Sequence, residues 1–303
     1  MLRYVIKRVA LAVVTVFIVI TLTFFLMNAV PGGPFMKEKA LSANVQAELE
    51  ARYHLDKPVP VQFGYYLKNL AQGDFGVSLK TGRNIATTIQ NGFAVSLRIG
   101  SYAALVAVAS GLVLGTIAAL KRNTWVDRII VFLTTLLVSV PSFVLATLLM
   151  LVFCLRLQWV PVWTANNPSI ILPVIALALY PMAYITRLTK SSMLDVLGQD
   201  YIRTAQAKGV GTVSLIGKHA LKNGLLPVVT YFGPMFSGII TGSLVVENVF
   251  TIGGLGSEFV KAINNRDYPL IMGITIFLAV LLVAMNLLSD LLYKVFDPRI
   301  NFD

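Results

Sequence analysis

Residues 99–120 read IGSYAALVAVASGLVLGTIAAL and contain no charged side chain. An α-helix rises about 1.5 Å per residue and the hydrocarbon core of a bilayer is about 30 Å thick, so about 20 apolar residues can cross it. The composition of the whole chain agrees, because its 303 residues are 56% hydrophobic and 13% charged, with a mean hydropathy of +0.76. A soluble domain carries about 25% charged residues. We therefore predict an all-α integral membrane protein.

Six stretches of the chain are long and apolar enough to cross a membrane. The embedded part of the first is expected to end near Pro31, and that of the fourth to begin near Ser169. The first is predicted to be a retained helix, because its apolar part exceeds the about 7–15 residues usual in a signal peptide. The predicted spans are Val9–Met36, Ile99–Leu120, Ile129–Leu155, Leu157–Thr186, Asn223–Val246 and Tyr268–Ser289.

Lysine and arginine residues indicate which side of the membrane each loop faces, because short cytoplasmic loops are enriched in them. Fourteen lie in the amino terminus, the 121–128 loop, the 187–222 segment and the carboxyl-terminal tail, against three in the alternate short loops. Long loops such as residues 37–98 cross the membrane largely regardless of charge. Both termini are therefore predicted to be cytoplasmic. The net charge of +11 then marks loops beside anionic lipid headgroups, so membrane lipid and not nucleic acid is the expected partner.

Three regions follow from these spans: an amino-terminal segment with the first helix (residues 1–36), an extracytoplasmic loop (37–98) and a five-helix core (99–303). The loop is predicted to be helical, because apolar residues recur every three or four positions in two runs. These runs are Val45, Leu49 and Tyr53 after a cap at Ser42, and Phe63, Leu67 and Leu70 before a turn at Gly73-Asp74. No repeat of fixed period is evident, which argues against a carrier built from two inverted halves.

The chain lacks the residue combinations of an enzyme, a metal site or a cofactor site. Its two histidines, His54 and His219, are expected on opposite sides of the membrane. Gly211 is followed by Gly217-Lys218-His219, which has the wrong spacing for a phosphate-binding loop and no Ser or Thr for magnesium. The single cysteine, Cys154, lies in an apolar span, where it is most often a buried hydrophobe. No Asp or Glu lies in the middle of a predicted span, so the energy source is expected in another subunit.

The cytoplasmic segment 187–222 contains two short predicted helices. Asp200 is a potential N-cap, Tyr201–Lys208 has the length of about two turns, and Gly209 can stop the helix in a left-handed conformation. Thr212 is expected to cap the second, Val213–Leu221. A helix of eight residues is marginal in water, so packing against the spans or another protein must stabilise it. From the residues alone, an ordinary connecting loop explains this segment equally well.

The same segment resembles the Glu-Ala-Ala loop of ABC importer permeases, in the variant of the peptide and nickel transporter permeases. The resemblance rests on Arg203-Thr204-Ala205, on Gly209 after three intervening residues, and on Leu225-Leu226-Pro227. In that family the loop is a coupling helix that docks into a groove of the cytoplasmic ATPase, with Ala205 expected to allow close approach. The residues implied in coupling are Asp200, Arg203, Thr204, Ala205, Lys208 and Gly209. Arg203 stands where the glutamate of the loop's name would be, which fits the peptide branch.

Other motifs of the family occur in the expected order along nearly the whole chain. They are Pro31-Gly32-Gly33-Pro34, Leu55-Asp56-Lys57-Pro58 with Gly73-Asp74-Phe75-Gly76, Thr189–Leu197, and Gly254-Leu255-Gly256 with Asn265–Pro269. The short 157–167 connection favours the oligopeptide branch, in its B-type permease subunit, because it lacks the long external insertion associated with dipeptide permeases.

This resemblance implies a type I ABC importer permease for oligopeptides, in the bacterial cytoplasmic membrane. The implied partners are a second homologous permease, two cytoplasmic ATPase subunits that bind ATP and magnesium, and an extracytoplasmic peptide-binding protein. The chain itself is expected to hold no cofactor and to catalyse no bond chemistry. Dipeptide, nickel and oligosaccharide importers stay open as alternatives, and so does a self-contained channel or membrane scaffold.

Polar residues on two predicted spans are candidates for lining a solute path. On the fifth span, Thr230, Ser237 and Thr241 lie within a narrow sector of the helix, and on the third, Thr135, Ser139 and Ser142 do the same around Pro141. Close packing of helices explains small polar residues as well as a pore does. Gly111 and Gly115 of the second span have no accompanying polar stripe and are predicted to serve packing.

Arg266 and Asp267 are candidates for contact with the binding protein, because they lie in the predicted external loop before the last span. The alternative is that these two charges form only a local salt bridge at the surface, worth about 0–1 kcal/mol.

Overall fold

The computed structural model describes residues 2–29, 57–164 and 166–296, and side chains within 6–29, 57–164, 166–241 and 243–289. The Pro31–Pro34 motif, the predicted helix after Ser42, His54 and Arg299 of the tail lie outside the described residues. Secondary structure in the described ranges is helical apart from one isolated bridge between Val77 and Asn84.

Twelve α-helices occur in the described part of the chain, and two of the connections between them contain a π-helical turn. The helices are α1 (Leu2–Ala29), α2 (Val59–Ala71), α3 (Ile85–Leu120), α4 (Trp125–Ser139), α5 (Ser142–Leu149), α6 (Ile171–Leu197), α7 (Asp200–Ala207), α8 (Thr212–Ser214), α9 (Leu221–Gly224), α10 (Leu226–Val249), α11 (Leu255–Asn264) and α12 (Tyr268–Phe296). The π-helical turns are Met150–Arg156 after α5 and Leu215–Ala220 after α8.

Five of these helices, α1, α3, α6, α10 and α12, are long and apolar enough to cross a membrane. The pair α4 and α5 adds a sixth span if it is counted as one. The predicted all-α membrane fold is therefore confirmed, with helices at each of the six predicted stretches.

The third predicted span, Ile129–Leu155, is not one straight helix. It breaks between α4 and α5, whose axes differ in direction by 103°. Pro141 has no N–H to continue the helical ladder, and it forces the preceding residue into an extended conformation, as seen at Val140 (φ −88°, ψ 128°). Thr135, Ser139 and Ser142 consequently do not form the single helical stripe that the sequence predicted.

Two spans extend beyond the ends that charged residues suggested. Helix α3 begins at Ile85 rather than Ile99, and α6 continues past Thr186 to Leu197. A helix need not end at the membrane surface, because its apolar residues can bury against protein there. Ile85 is fully buried in this way.

The chain consists of two compact units, Met1–Val95 with Gly253–Val283 and Ser96–Ile252 with Ala284–Asp303. The first unit has a core of aliphatic residues from α3, α11 and α12, including Ile85, Leu255 and Ile274. Gly92 lets backbones approach closely in this core, since a Cβ there would lie 3.0 Å from the Leu255 backbone. In the same unit, Phe24 of α1 packs against aromatic rings of α2.

The second unit contains a close crossing of α3 and α6. A Cβ added to Gly111 would lie 2.7 Å from the Ile185 side chain, and one added to Gly115 would lie 2.6 Å from the Thr186 carbonyl oxygen. The prediction that these two glycines serve packing is therefore confirmed. The crossing positions the carboxyl-terminal end of α6, from which the short helices continue.

Candidate functional site

Helix α7 has ends that its backbone conformation defines. It begins after Gln199, whose backbone is extended (φ −77°, ψ 150°), and it ends before Lys208 and Gly209. Gly209 has φ +76°, the left-handed conformation that suits glycine, so the predicted stop is confirmed. The predicted cap is wrong by one residue, because Asp200 is the first helical residue. Its exposed carboxylate lies 3.8 Å from the Arg203 guanidinium rather than capping a backbone N–H.

One face of α7 is buried in its own chain. Ile202 is fully buried and Ala205 is 8% exposed, and both pack in a cluster with Met193 of α6 and Leu215 of the following turn. Ala205 therefore faces the chain's own core, which corrects the expectation that it offers close approach to an ATPase. The physical reason is that so short a helix cannot fold alone, so its apolar side must bury against neighbouring helices.

The opposite face of α7 is exposed and polar, with Asp200, Arg203, Thr204 and Lys208 accessible. Beside it, Val213 is 87% exposed although it is apolar, and Tyr201 is 42% exposed. We call Tyr201, Arg203, Thr204, Lys208 and Val213 the docking face. Val213 was not predicted from the sequence. The signal in the sequence was an apolar residue in the first turn of a short helix, and the structure shows that this residue is exposed.

An ion pair fixes the start of α4 to α6. The Lys190 ammonium donates to the Asp127 carboxylate at 2.5 Å, and the Asn123 N–H donates to the other carboxylate oxygen at 3.0 Å. Asp127 is buried and precedes the predicted apolar stretch from Ile129. The hydrogen bond from Lys190 holds the pKa of the Asp127 carboxyl below its usual value. This hydrogen-bonded pair joins the start of α4 to α6.

Two cavities lie along α6 and α10 in the second unit. The distal cavity, of about 370 Å³, is lined by residues that include Ser142, Tyr180 and Tyr231. The proximal cavity, of about 460 Å³, is lined by residues that include Tyr184, Thr230 and Tyr231. The names refer to α7: α6 runs from Ile171 toward α7, so the later residues of α6 lie nearer to it.

The six residues predicted to line a path have different surroundings. Ser142 lines the distal cavity and Thr230 the proximal cavity. Ser237 is buried, and its hydroxyl has no hydrogen-bond partner among the described residues. The Thr241 hydroxyl donates to the Ser237 carbonyl at 2.9 Å, and the Ser139 hydroxyl donates to the Thr135 carbonyl at 2.8 Å. Both hydroxyls are therefore hydrogen-bonded to the backbone of their own helix. That these residues line a path for the solute stays a prediction.

Three tyrosines on the cavities were missed from the sequence. Tyr180 and Tyr184 lie one turn apart on α6, and Tyr231 lies on α10. The rings of Tyr184 and Tyr231 pack with centroids 4.4 Å apart. Tyrosines of membrane proteins concentrate at the two interfaces. Tyr184 lies two residues before the predicted end of its span at Thr186, so its position in the sequence did not distinguish it from an interfacial tyrosine.

The turn before α12 separates the two residues that were predicted as a pair. Asp267 is buried, accepts hydrogen bonds from the Ser78 hydroxyl and the Leu79 N–H, and caps α12. Arg266 is exposed, has φ +55°, and within the described residues forms no ion pair with Asp267. Asp267 is thus enclosed by its own chain, which corrects its assignment as a contact for a binding protein. The alternative of a local salt bridge is wrong as well.

Comparison with known proteins gives consistent matches over the whole chain. Residues 111–302 match the family described as binding-protein-dependent transport system inner membrane component, and residues 1–99 match the family of its N-terminal part. The dipeptide transport system permease protein DppB of Bacillus subtilis is 48% identical over 99% of this chain and 98% of its own length. The oligopeptide transport system permease proteins OppB of Haemophilus influenzae and Salmonella typhimurium are 43% and 44% identical over the full length of both chains.

A solved structure supports the fold. The inward-facing MetNI methionine ABC transporter has a chain with a TM-score of 0.59 and 14% identity, covering 69% of this chain and 95% of that one.

The length of the 157–167 connection does not separate the two substrate classes. The dipeptide relative aligns over 98% of its own length, so it has no long insertion that this chain lacks. The wider relationship is clear from the family models and the full-length relatives together. The chain belongs to the inner membrane components of binding-protein-dependent transport systems, and it is a multi-pass permease subunit of an ABC importer rather than an enzyme.

Proposed function

We propose that this chain is one of two homologous permease subunits of an importer for oligopeptides. A binding protein outside the membrane delivers the peptide, and two cytoplasmic ATPase subunits bind ATP and magnesium. The observation that best supports the proposal is the way α7 packs against its own chain. Its apolar side is buried against the chain, while the docking face is left for another protein.

The placement of α7 explains how an ATPase can move the spans. Only Gly198 and Gln199 separate α7 from α6, and Ile202 packs against Met193 near the end of α6. The same cluster includes Leu215 and Ala220, which lead toward α10. A push on the docking face is therefore transmitted to both helices as a rigid-body movement.

The cavities bordered by α6 and α10 suit a peptide. Among the residues that the structure describes, none that lines either cavity is charged. A lining without fixed charge does not select substrates by the charge of their side chains. Peptides vary in charge, so a neutral lining with hydroxyl groups favours a broad peptide substrate class. Volumes of about 370 and 460 Å³ lie within the about 300–1,000 Å³ typical of ligand pockets.

Dipeptides are the second candidate substrate. The relative that favours them is the DppB protein of Bacillus subtilis, named for dipeptide transport, at 48% identity. The OppB proteins at 43–44% identity favour longer peptides. These identities differ too little to separate the two classes, so a direct comparison of substrates is needed.

Uptake into proteoliposomes tests the proposal. The transporter is purified with its partner subunits, reconstituted, and supplied with its binding protein, ATP and magnesium. We expect ATP-dependent uptake of labelled oligopeptides. Uptake of dipeptides, nickel and an oligosaccharide is measured in parallel assays. Uptake of nickel or oligosaccharide without peptide uptake would contradict the peptide assignment. Conduction by this chain alone, without ATP, would support a channel instead.

A further inference from the structure

The two cavities share two lining residues of α10. Tyr231 and Pro234 of α10 line both the distal and the proximal cavity. Tyr180 lines only the distal cavity, whereas Tyr184, one turn farther toward α7, lines only the proximal cavity. The boundary between the cavities therefore lies at the level where Tyr184 and Tyr231 pack against each other.

Three prolines from three helical segments line the distal cavity. Pro141 breaks the α4–α5 pair, and Pro181 and Pro234 lie inside α6 and α10. Proline within a helix deprives the carbonyl four residues earlier of its donor, and in a membrane such irregular backbone is tolerated where it is satisfied by protein or lines a cavity. The carbonyl freed by Pro234 belongs to Thr230 and accepts the Ser289 hydroxyl at 3.0 Å. The one freed by Pro181 belongs to Leu177, which lines the distal cavity.

The boundary also carries hydroxyl groups that this chain does not use. Among the described residues, no hydrogen bond is formed by the hydroxyls of Tyr180, Tyr184 or Tyr231. Phenolic hydroxyls both donate and accept, so they match the N–H and C=O groups of a peptide backbone whatever its side chains. This combination recognises a peptide main chain and not a particular sequence.

We propose that Tyr184 and Tyr231 form a gate through which the transported peptide passes between the distal and the proximal cavity. The inference rests on the proposed function, because it takes a peptide as the solute. In the closed arrangement the two rings separate the cavities. Movement of α6 relative to α10 parts the rings, and the hydroxyls then bind the peptide backbone as it crosses.

Photo-crosslinking in the reconstituted transporter tests whether the peptide reaches this gate. A photoreactive amino acid replaces Tyr184 or Tyr231 in turn, and labelled peptide, binding protein and ATP are supplied. Tyr102 is the matched control, because it is an exposed tyrosine of the α3 span that lines neither cavity. We expect ATP-dependent capture of peptide from positions 184 and 231, and none from position 102.

Substitution tests whether the rings restrict passage. Removal of one ring by Tyr184→Ala should raise the uptake of bulky peptides relative to small ones about twofold to tenfold, as expected for the loss of one aromatic contact. Tyr184→Phe keeps the ring and should leave this ratio near that of the wild type, as should Tyr102→Ala. Thermal unfolding of each purified variant checks that it is folded.

The outcomes separate this inference from the proposed function. If the wild-type transporter takes up no peptide, the proposed function is wrong. If it takes up peptide but no crosslink forms at 184 or 231 and the size ratio is unchanged in Tyr184→Ala, the pair only packs α6 against α10 and the gate is wrong.

Discussion

Lys190 of α6 donates a hydrogen bond to Asp127 of α4, and the two residues are 63 positions apart in the chain. Asp127 is 5% exposed and the Lys190 side chain 21%, so water screens the pair only in part. Because only Gly198 and Gln199 separate α6 from α7, this ion pair steadies the helix that carries most of the docking face.

Removal of one partner of the pair should destabilise the protein. Lys190→Met leaves the Asp127 carboxylate without its cation, and a hydrogen bond to a charged group contributes about 1.5–3 kcal/mol. We expect a loss of that size in thermal unfolding of the purified transporter. The double variant Asp127→Leu with Lys190→Met should recover part of the loss, since no buried charge then lacks a partner. Strictly additive effects of the two substitutions would show that the pair contributes nothing.

Gly115→Ala should destabilise the crossing of α3 and α6. The added methyl would lie 2.6 Å from the Thr186 carbonyl oxygen, and backbone cannot move aside as a flexible side chain can. Overpacking of this kind costs about 1–3 kcal/mol. Gly238→Ala is the matched control, because its added methyl would meet no atom within 4 Å. Equal melting temperatures of the two variants would contradict the close approach.

Val213→Asp should weaken association with the ATPase. A buried valine contributes about 1.5 kcal/mol, and 1.4 kcal/mol corresponds to a tenfold change in affinity. We therefore expect at least about tenfold weaker binding in co-purification at graded ATPase concentrations, with membrane insertion retained. Val61→Asp, at an exposed position of α2, is the control. Unchanged association of the Val213 variant would remove this residue from the docking face.

Arg266 and Asp267 should respond differently to substitution. Asp267→Asn weakens the acceptor for Ser78 and Leu79 and should cost about 1–3 kcal/mol of stability. Arg266→Asn removes the exposed charge, and asparagine tolerates its positive φ, so stability should be retained. If Arg266 contacts the binding protein, uptake by this variant should require a higher concentration of loaded binding protein. Unfolding curves and uptake titrations separate the two effects, and an uptake titration like that of the wild type would argue against the contact.

The predicted sidedness of the loops can be tested by cysteine labelling. Pro60 and Gln206 are both exposed, and they are predicted to lie outside and inside the membrane respectively. Single cysteines at these positions, with Cys154 replaced, should react oppositely with a membrane-impermeant thiol reagent in intact cells. Labelling of position 206 from outside would contradict the cytoplasmic placement of the docking face.

Much of the fold could be predicted from the sequence, because the driving force for membrane helices is local. An apolar stretch of sufficient length enters the bilayer whatever its neighbours are, so each predicted span contains a helix. The stop of α7 at Gly209 was also predictable, because a left-handed residue depends on its own side chain. Gly111 and Gly115 indicated a close crossing for the same reason, since only the smallest residue permits it.

Only the tertiary structure decided which faces of these helices meet. Between membrane helices, apolar surface gives little preference for one partner over another, because lipid covers it equally well. The burial of Ala205, the capping role of Asp267 and the pairing of Tyr184 with Tyr231 therefore depend on contacts between residues far apart in the chain. The break at Pro141 shows the same division. Proline in the sequence determined that the third span bends, whereas packing against α6 and α10 decided that the bend borders a cavity.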